Sequence, residues 1–208
     1  FDMSELSELA NLELQQVYQL KGLSGIEGAV NLKNLNLNSS VNIESIESIA
    51  NLSQLESLQL DNLESLKDFT ALGNLTSLTE LNLTNNRHIT SVEMLTNLES
   101  LKNLDLNQLY SLTDISSLSS LPNIQSINLY NGVSLLCADL DNLEAAQPNA
   151  EINRPYNCIE IPIDTELFSD QRMLDCVLGH SKDIADISYL ACRYDNIENI
   201  DGIQQLVN

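Results

Sequence analysis

Apolar residues recur along most of the chain with a period of 23 residues. Each period carries the pattern Leu-x-x-Leu-x-Leu, or a close variant, and the further apolar positions follow in steps of three residues. A two-residue step is strand periodicity, whereas repeated three-residue steps indicate a tight, 3-10-like return rather than a long α-helix. Each period therefore predicts one short strand and one return. Six periods begin at Leu9, Leu32, Leu55, Leu78, Leu101 and Ile124.

A single period cannot bury its own apolar positions, so neighbouring periods must stack and share one core. The predicted fold class is α/β. The predicted architecture is a solenoid with short parallel strands on its concave face and 3-10 or irregular returns on its convex face.

Runs such as Leu-Thr-Ser-Leu-Thr-Glu-Leu-Asn-Leu at 75–83 resemble the leucine-rich repeat of the bacterial internalin-like class, and the resemblance covers about residues 6–146. It implies a non-enzymatic role in protein–protein contact and a secreted, periplasmic or cell-surface location. One feature departs from the family, which usually places an Asn three residues after the last strand Leu. Only Asn86 fits, so we predict that an apolar spine partly replaces the buried Asn ladder. The six positions are Val17, Ser40, Leu63, Asn86, Leu109 and Gly132.

The repeat pattern changes after residue 133. Residues 137–146 predict a short helix ended by Pro148, and 150–152 fall in register as a seventh strand. This stretch resembles a C-terminal cap, so the first predicted domain is 1–158, with its cap at about 133–158.

Two further segments follow this domain. Residues 159–165 predict a linker, and 166–208 resemble the N-terminal cap helix and first repeat of a second, truncated module. No cap helix precedes the first strand, and the chain stops where another strand is due. We therefore expect a piece of a longer array that self-associates through its cut ends.

The four cysteines fall in pairs in the two cap regions that the resemblance implies. We predict the disulfides Cys137–Cys158 and Cys176–Cys192, because each would constrain an end of a solenoid that has no neighbour on one side. Two pairs of buried free thiols are the alternative. A zinc site is disfavoured because the sequence has no Cys-x-x-Cys and its two histidines are far away.

The net charge of −21, from 9 Lys and Arg against 30 Asp and Glu, argues against nucleic acid and against an anionic membrane surface as partners. No apolar run approaches the roughly 18–20 residues of a membrane span. Neither His88 nor His180 has a nucleophile or carboxylate at a catalytic spacing, and there is no phosphate-binding loop. We therefore predict no enzymatic activity, no cofactor and no metal.

The polar positions around the strand leucines are predicted to form three rows across the concave face, with strands about 4.8 Å apart. Of these eighteen residues eight are Asn, four are acidic and none is Lys or Arg. They predict a polar, acidic face that recognises a protein partner, one with a basic or hydrogen-bonding surface. The predicted partner-binding residues are Asn34, Asn36, Asn38, Gln59, Asp61, Glu80, Asn82, Asn103, Asp105, Asn107, Asn128 and Tyr130.

A second hypothesis gives this face no ligand. Asn and Gln stack well on neighbouring strands, and among the residue types enriched at binding hot spots the face offers only Tyr130. The segment would then be a structural spacer in a long surface protein.

Overall fold

The computed structural model describes residues 7–132 and 134–160. The chain divides into two compact units, 1–135 with 139–158 and 136–138 with 159–208. The predicted second module, with Cys176, Cys192 and His180, lies outside the described residues. The domain boundaries and the self-association of the chain therefore stay predictions.

Seven strands of three residues each form one parallel sheet, in which the strands follow chain order. The first six pair in register with residues 23 positions away, as the sequence period predicts. The predicted seventh strand is present, but its predicted place in the 23-residue register is wrong: it pairs at a separation of 25, because the return that contains the helix Cys137–Ala146 is two residues longer. The predicted parallel solenoid is confirmed. The strands are β1 Asn11–Glu13, β2 Asn34–Asn36, β3 Ser57–Gln59, β4 Glu80–Asn82, β5 Asn103–Asp105, β6 Ser126–Asn128 and β7 Glu151–Asn153.

The returns between the strands contain 3-10 helices, as the three-residue apolar step predicts. Several begin directly after an Asx turn: the Asp68 carboxylate accepts a hydrogen bond from the Thr70 backbone N–H at 2.9 Å, and the Asp114 carboxylate accepts one from the Ser116 backbone N–H at 3.0 Å. These hydrogen bonds lower the pKa of both carboxyl groups. The 3-10 helices are Ile26–Gly28, Glu47–Ile49, Thr70–Asn74, Glu93–Leu95 and Ser116–Ser120.

One continuous apolar core runs between the sheet and the returns, from Leu23 to Leu143. Two polar side chains are buried in it, Ser40 and Asn86. Leu63 and Leu109 occupy the equivalent position in other repeats and are also buried, so the predicted apolar spine is present. Ser40 was not predicted to act like the Asn, yet its hydroxyl donates to the Leu14 carbonyl and accepts from the Val17 N–H.

One residue in each of the six repeats has a left-handed backbone, which turns the chain out of the strand. Its position, two residues after the last strand Leu, was not predicted. Asn is common there because its short polar side chain tolerates this conformation better than most. The residues are Gln16, Ser39, Asn62, Asn85, Gln108 and Asn131, with φ between 56° and 63°.

Gln108→Gly should therefore stabilise the protein, because glycine adopts a positive φ without the steric cost that Gln108 bears at 57°. We expect a gain of about 0.5–1 kcal/mol in the free energy of unfolding, measured by urea denaturation. The matched control is Gln125→Gly, since Gln125 is exposed and has no positive φ. A loss of stability in both variants would contradict the role of this position.

The C-terminal cap contains the predicted helix, α1 Cys137–Ala146. The predicted Cys137–Cys158 disulfide is present and ties the start of α1 to the segment after β7. Arg154 contacts the same face of the helix as the disulfide, because its Nη1 lies 2.6 Å from an Asp141 oxygen and 3.2 Å from a Glu144 oxygen.

Gln147, just after α1, closes the last 3-10 helix. Its Nε2 lies 3.1, 3.1 and 3.0 Å from the carbonyl oxygens of Leu118, Ser119 and Leu121. A side-chain amide thus caps carbonyl groups at the C-terminal end of this 3-10 helix.

Candidate functional site

The predicted partner-binding residues lie together in three rows on the concave face. The strands are shorter than the predicted pattern, so only the first two rows belong to them, and the third row lies two residues beyond each strand. The backbone ladder nevertheless continues that far. The Leu37 N–H donates to the Gln59 carbonyl at 2.9 Å, and the Ser39 N–H donates to the Asp61 carbonyl at 2.8 Å.

The first row is the most exposed and is cross-linked between neighbouring strands. Asn34 Nδ2 donates to Asn11 Oδ1 at 2.6 Å, and the Ser126 hydroxyl donates to Asn103 Oδ1 at 3.0 Å. Glu80 accepts a longer bond of 3.3 Å from the Ser57 hydroxyl. Glu80 and Asn103 both stay exposed, so they are available to a partner.

The second row ends the strands. Its Asn and Asp side chains accept a hydrogen bond from the backbone N–H two residues further on, which forms an Asx turn. These four residues of the predicted site therefore have a structural task as well. They are Asn36, Asn82, Asp105 and Asn128, with bond lengths of 3.0, 2.8, 2.9 and 3.1 Å.

Gln59 interrupts this second row because its side chain is one carbon longer than that of Asn. The neighbouring repeat supplies the missing acceptor: Asn38 Oδ1 accepts from the Asp61 N–H at 2.7 Å. Further along, Asn153 Nδ2 donates to Asn128 Oδ1 at 3.0 Å, and Asn128 Nδ2 donates to Asp105 Oδ1 at 3.1 Å. Such amide chains fix the register of the sheet and explain the high Asn content of this face.

The three rows on the described part of this face contain the acidic residues Glu13, Asp61, Glu80 and Asp105 and no Lys or Arg. A shallow depression of about 190 Å³ lies over the central strands, lined among others by Gln59, Glu80 and Asp105. Beside it, burial raises the pKa of Asp61, and the nearby charge of Asp105 raises that pKa further.

Tyr156 lies next to the predicted residue Tyr130, with ring centroids 5.6 Å apart, and was missed by the sequence analysis. It belongs to the cap, where the 23-residue register no longer applies, so no row predicted its position. An aromatic residue directly after Pro155 was the one signal available in the sequence.

His88, Asp68 and Ser91 line one small depression away from the concave face, but the side chains are not arranged as a catalytic triad. The Asp68 carboxylate accepts from the Thr70 N–H in a turn before a 3-10 helix, and the Ser91 hydroxyl donates to Asp114 at 3.2 Å. Among the described residues no hydrogen bond joins His88 to either of them. In that same part of the chain, no group of three or more His, Cys, Asp or Glu is placed to hold a metal ion.

Residues 7–132 and 134–160 include no helix with the length and apolarity that crossing a membrane requires.

The sequence matches no family model and no curated protein. The fold is similar to solved structures from Listeria monocytogenes. One is an internalin, InlF, with a TM-score of 0.54 and 22% identity over 74% of this chain and 49% of that one. Another is the functional domain of InlJ, which includes a cysteine ladder, with a TM-score of 0.54 and 17% identity over 76% of this chain.

The chain thus spans about half of the InlF structure and 32% of the InlJ domain. The shared features are the parallel sheet in chain order and the 3-10 returns. This chain has the leucine-rich repeat fold of the internalin structures.

Proposed function

We propose that this chain is a non-enzymatic protein-interaction module of a secreted or surface-exposed bacterial protein, and that its concave face recognises a basic surface. The observation that carries the proposal is the acidic depression over β3 to β6, in rows that have no basic residue to neutralise it.

The electrostatics of Asp61 and Asp105 support a cationic partner. Burial raises the pKa of Asp61, and the charge of Asp105 raises it further, so the ionised form of Asp61 gains when a Lys or Arg side chain comes beside it. Complementary potentials of this kind also accelerate encounter and exclude acidic competitors. A partner with an acidic surface would meet repulsion along the whole face.

The hydrogen bonds distinguish the side chains that are free to bind a partner from those that the fold uses. Asn36, Asn82 and Asn128 each close a turn, so a partner would compete with the fold for their oxygens. Asp61 and Glu80 carry charge without closing such a turn. They are therefore the centre of the proposed recognition surface, and the Asn rows around them are its scaffold.

The spacer hypothesis stays as the second candidate function because a specific observation favours it. The turn bonds of Asn36, Asn82 and Asn128 account for these amides without any ligand. They do not account for the acidic side chains of Asp61 and Glu80, which close no turn, and that difference separates the two hypotheses.

A charge-reversal variant tests the recognition role. Asp61→Lys and Glu80→Lys reverse two charges, and Asp105→Asn removes a third while it keeps the oxygen that accepts from Asn107. Binding of a hexalysine peptide, measured by titration calorimetry, should weaken by about tenfold, since exposed ion pairs contribute about 0.2–1 kcal/mol each. The melting temperature of the variant should change little.

The matched control alters net charge by the same amount away from the face. It combines Glu64→Lys, Glu99→Lys and Glu93→Gln, all at exposed positions outside the three rows. Equal weakening in both variants would show that only net charge matters and would favour the spacer hypothesis.

Asp61→Asn alone should raise stability and lower affinity for the peptide. The folded state raises the Asp61 pKa, so the ionised carboxylate costs stability at neutral pH, and this cost disappears as pH falls through that pKa. We expect a gain of up to about 0.5 kcal/mol at pH 7 that shrinks towards pH 4.

Asp114→Asn is the control of opposite sign. Its pKa is lowered by hydrogen bonds from Ser116 and Ser91, so its charge stabilises the fold at neutral pH. That substitution should reduce the melting temperature at pH 7. If Asp61→Asn also lost stability, the Asp61 carboxylate would stabilise the fold, and this would contradict a role for Asp61 in binding alone.

A further inference from the structure

We infer that Tyr130 and Tyr156 form an aromatic platform that receives an arginine side chain of the basic partner. This inference rests on the proposed function, because it supplies an anchor at the C-terminal end of the same face. The chemistry it assigns is a guanidinium group stacked on a tyrosine ring, next to carboxylates that attract it.

The two rings come from different elements and meet in the open. Tyr130 follows β6, and Tyr156 follows β7. Their centroids are 5.6 Å apart and their planes are inclined by 49°. Tyr130 is 37% exposed and Tyr156 is 82% exposed, so the contact between them leaves most of the Tyr156 ring free.

The platform is held in place by its backbone. The Tyr130 N–H donates to Asn128 Oδ1 at 3.1 Å, and its carbonyl accepts from the Gln108 N–H at 3.1 Å. Tyr156 lies between the buried Pro155 and the disulfide-bonded Cys158. Because the backbone is constrained at both tyrosines, binding has to order only their side-chain torsions, and a tyrosine has few of these.

The surrounding charges select a cation. Asn128 links Tyr130 to the Asp105 carboxylate, since its Nδ2 donates to Asp105 at 3.1 Å. Arg154 is the nearest base in sequence to Tyr156, but its guanidinium is engaged by Asp141 and Glu144 on α1. The Asp105 carboxylate therefore lies close to the platform, and the Arg154 guanidinium is not available to stack on it.

Arginine fits this site better than lysine. Its planar guanidinium stacks on an aromatic face and is more weakly hydrated than an ammonium group, so it loses less on leaving water. A partner with arginine would use the ring face and the carboxylate together, whereas one with lysine would use mainly the carboxylate.

The test compares hexa-arginine with hexalysine peptides at 150 mM salt by calorimetry, together with NMR of ring-labelled tyrosine. The chain has six tyrosines and no tryptophan, so the ring signals are few. We expect hexa-arginine to shift the signals of Tyr130 and Tyr156 and to leave Tyr18 and Tyr110 unchanged. Tyr156→Ala should weaken hexa-arginine binding about two- to fivefold and hexalysine binding less.

Two further variants complete the test. Tyr156→Phe keeps the ring and should retain binding, and Tyr18→Ala removes an exposed tyrosine outside the concave rows and should change nothing. If Tyr156→Ala binds like the wild type while the charge-reversal variant does not, the platform is wrong and the proposed function stands. If neither variant weakens binding, or hexa-arginine does not bind the wild type, both are wrong.

Discussion

Asn86→Ala should destabilise the protein by about 3 kcal/mol in the free energy of unfolding. Asn86 is 1% exposed, and its side chain satisfies four backbone groups. Oδ1 accepts from the Leu63 N–H at 3.0 Å, and Nδ2 donates to the carbonyl oxygens of Leu60, Leu83 and Thr84 at 2.8, 2.8 and 3.3 Å. Alanine would remove the partner of the Leu63 N–H and of the Leu60 and Leu83 carbonyl groups in the buried interior, whereas the Thr84 carbonyl keeps its hydrogen bond from the Asn62 N–H.

Two comparisons make this prediction quantitative. Ser40→Ala removes two hydrogen bonds at the same position of another repeat, so it should cost about 1–2 kcal/mol. Asn97→Ala is the surface control, because Asn97 is exposed, and it should stay within about 0.5 kcal/mol. Urea denaturation measures all three. Equal effects for Asn86 and Asn97 would contradict the structural role of the buried amide.

Removal of the Cys137–Cys158 disulfide should cost about 3 kcal/mol, the amount expected for a closed loop of roughly this length. Among the described residues the cap is the last part of a quasi-one-dimensional stack, after the seventh strand, so the loss should appear first in the last repeats. The variant replaces both cysteines by serine, so that no new free thiol forms at the cap. Thermal unfolding and hydrogen exchange of β6 and β7 measure the effect.

A second variant serves as control. Replacement of Cys176 and Cys192 by serine leaves the Cys137–Cys158 bond intact and should leave the exchange of β6 and β7 unchanged. Non-reducing peptide mapping tests the predicted Cys176–Cys192 pairing at the same time. Unchanged exchange and melting in the Cys137 and Cys158 variant would show that the bond does not constrain the cap.

The period of 23 residues was enough to predict the strands, because each repeat buries the same apolar positions against its neighbours in the stack. β1 to β6 and α1 lie where the apolar pattern places them. The sequence also predicted β7, although β7 pairs with β6 at a separation of 25 residues. Its apolar residue Ile152 is the partner of Ile127. Apolar burial is a strong signal because Leu, Ile, Val and Phe can all fill the same core position.

Hydrogen bonding was less predictable than burial, since several residue types satisfy the same backbone group. Ser40 replaces Asn although its side chain is shorter, because its hydroxyl both donates and accepts. The left-handed positions, such as Gln108, escaped notice for the same reason: no single residue type occupies them.

The sequence predicted the surface of the candidate site but not the roles of its residues. Its rows follow from strand alternation. Which Asn side chains close turns and which acids do not depends on contacts such as the 2.7 Å bond from the Asp61 N–H to Asn38. Tyr156 lies outside the repeat register and became visible only through its contact with Tyr130.

Carbodiimide footprinting of carboxylates, with and without a saturating basic peptide, tests the central claim most directly. Mass spectrometry then reads which acids the ligand covers. The account predicts protection of Asp61, Glu80 and Asp105, with unchanged labelling of the exposed Glu64 and Glu99 outside the rows. Uniform protection of all these acids, or protection of Glu64 and Glu99 alone, would contradict recognition by the concave face.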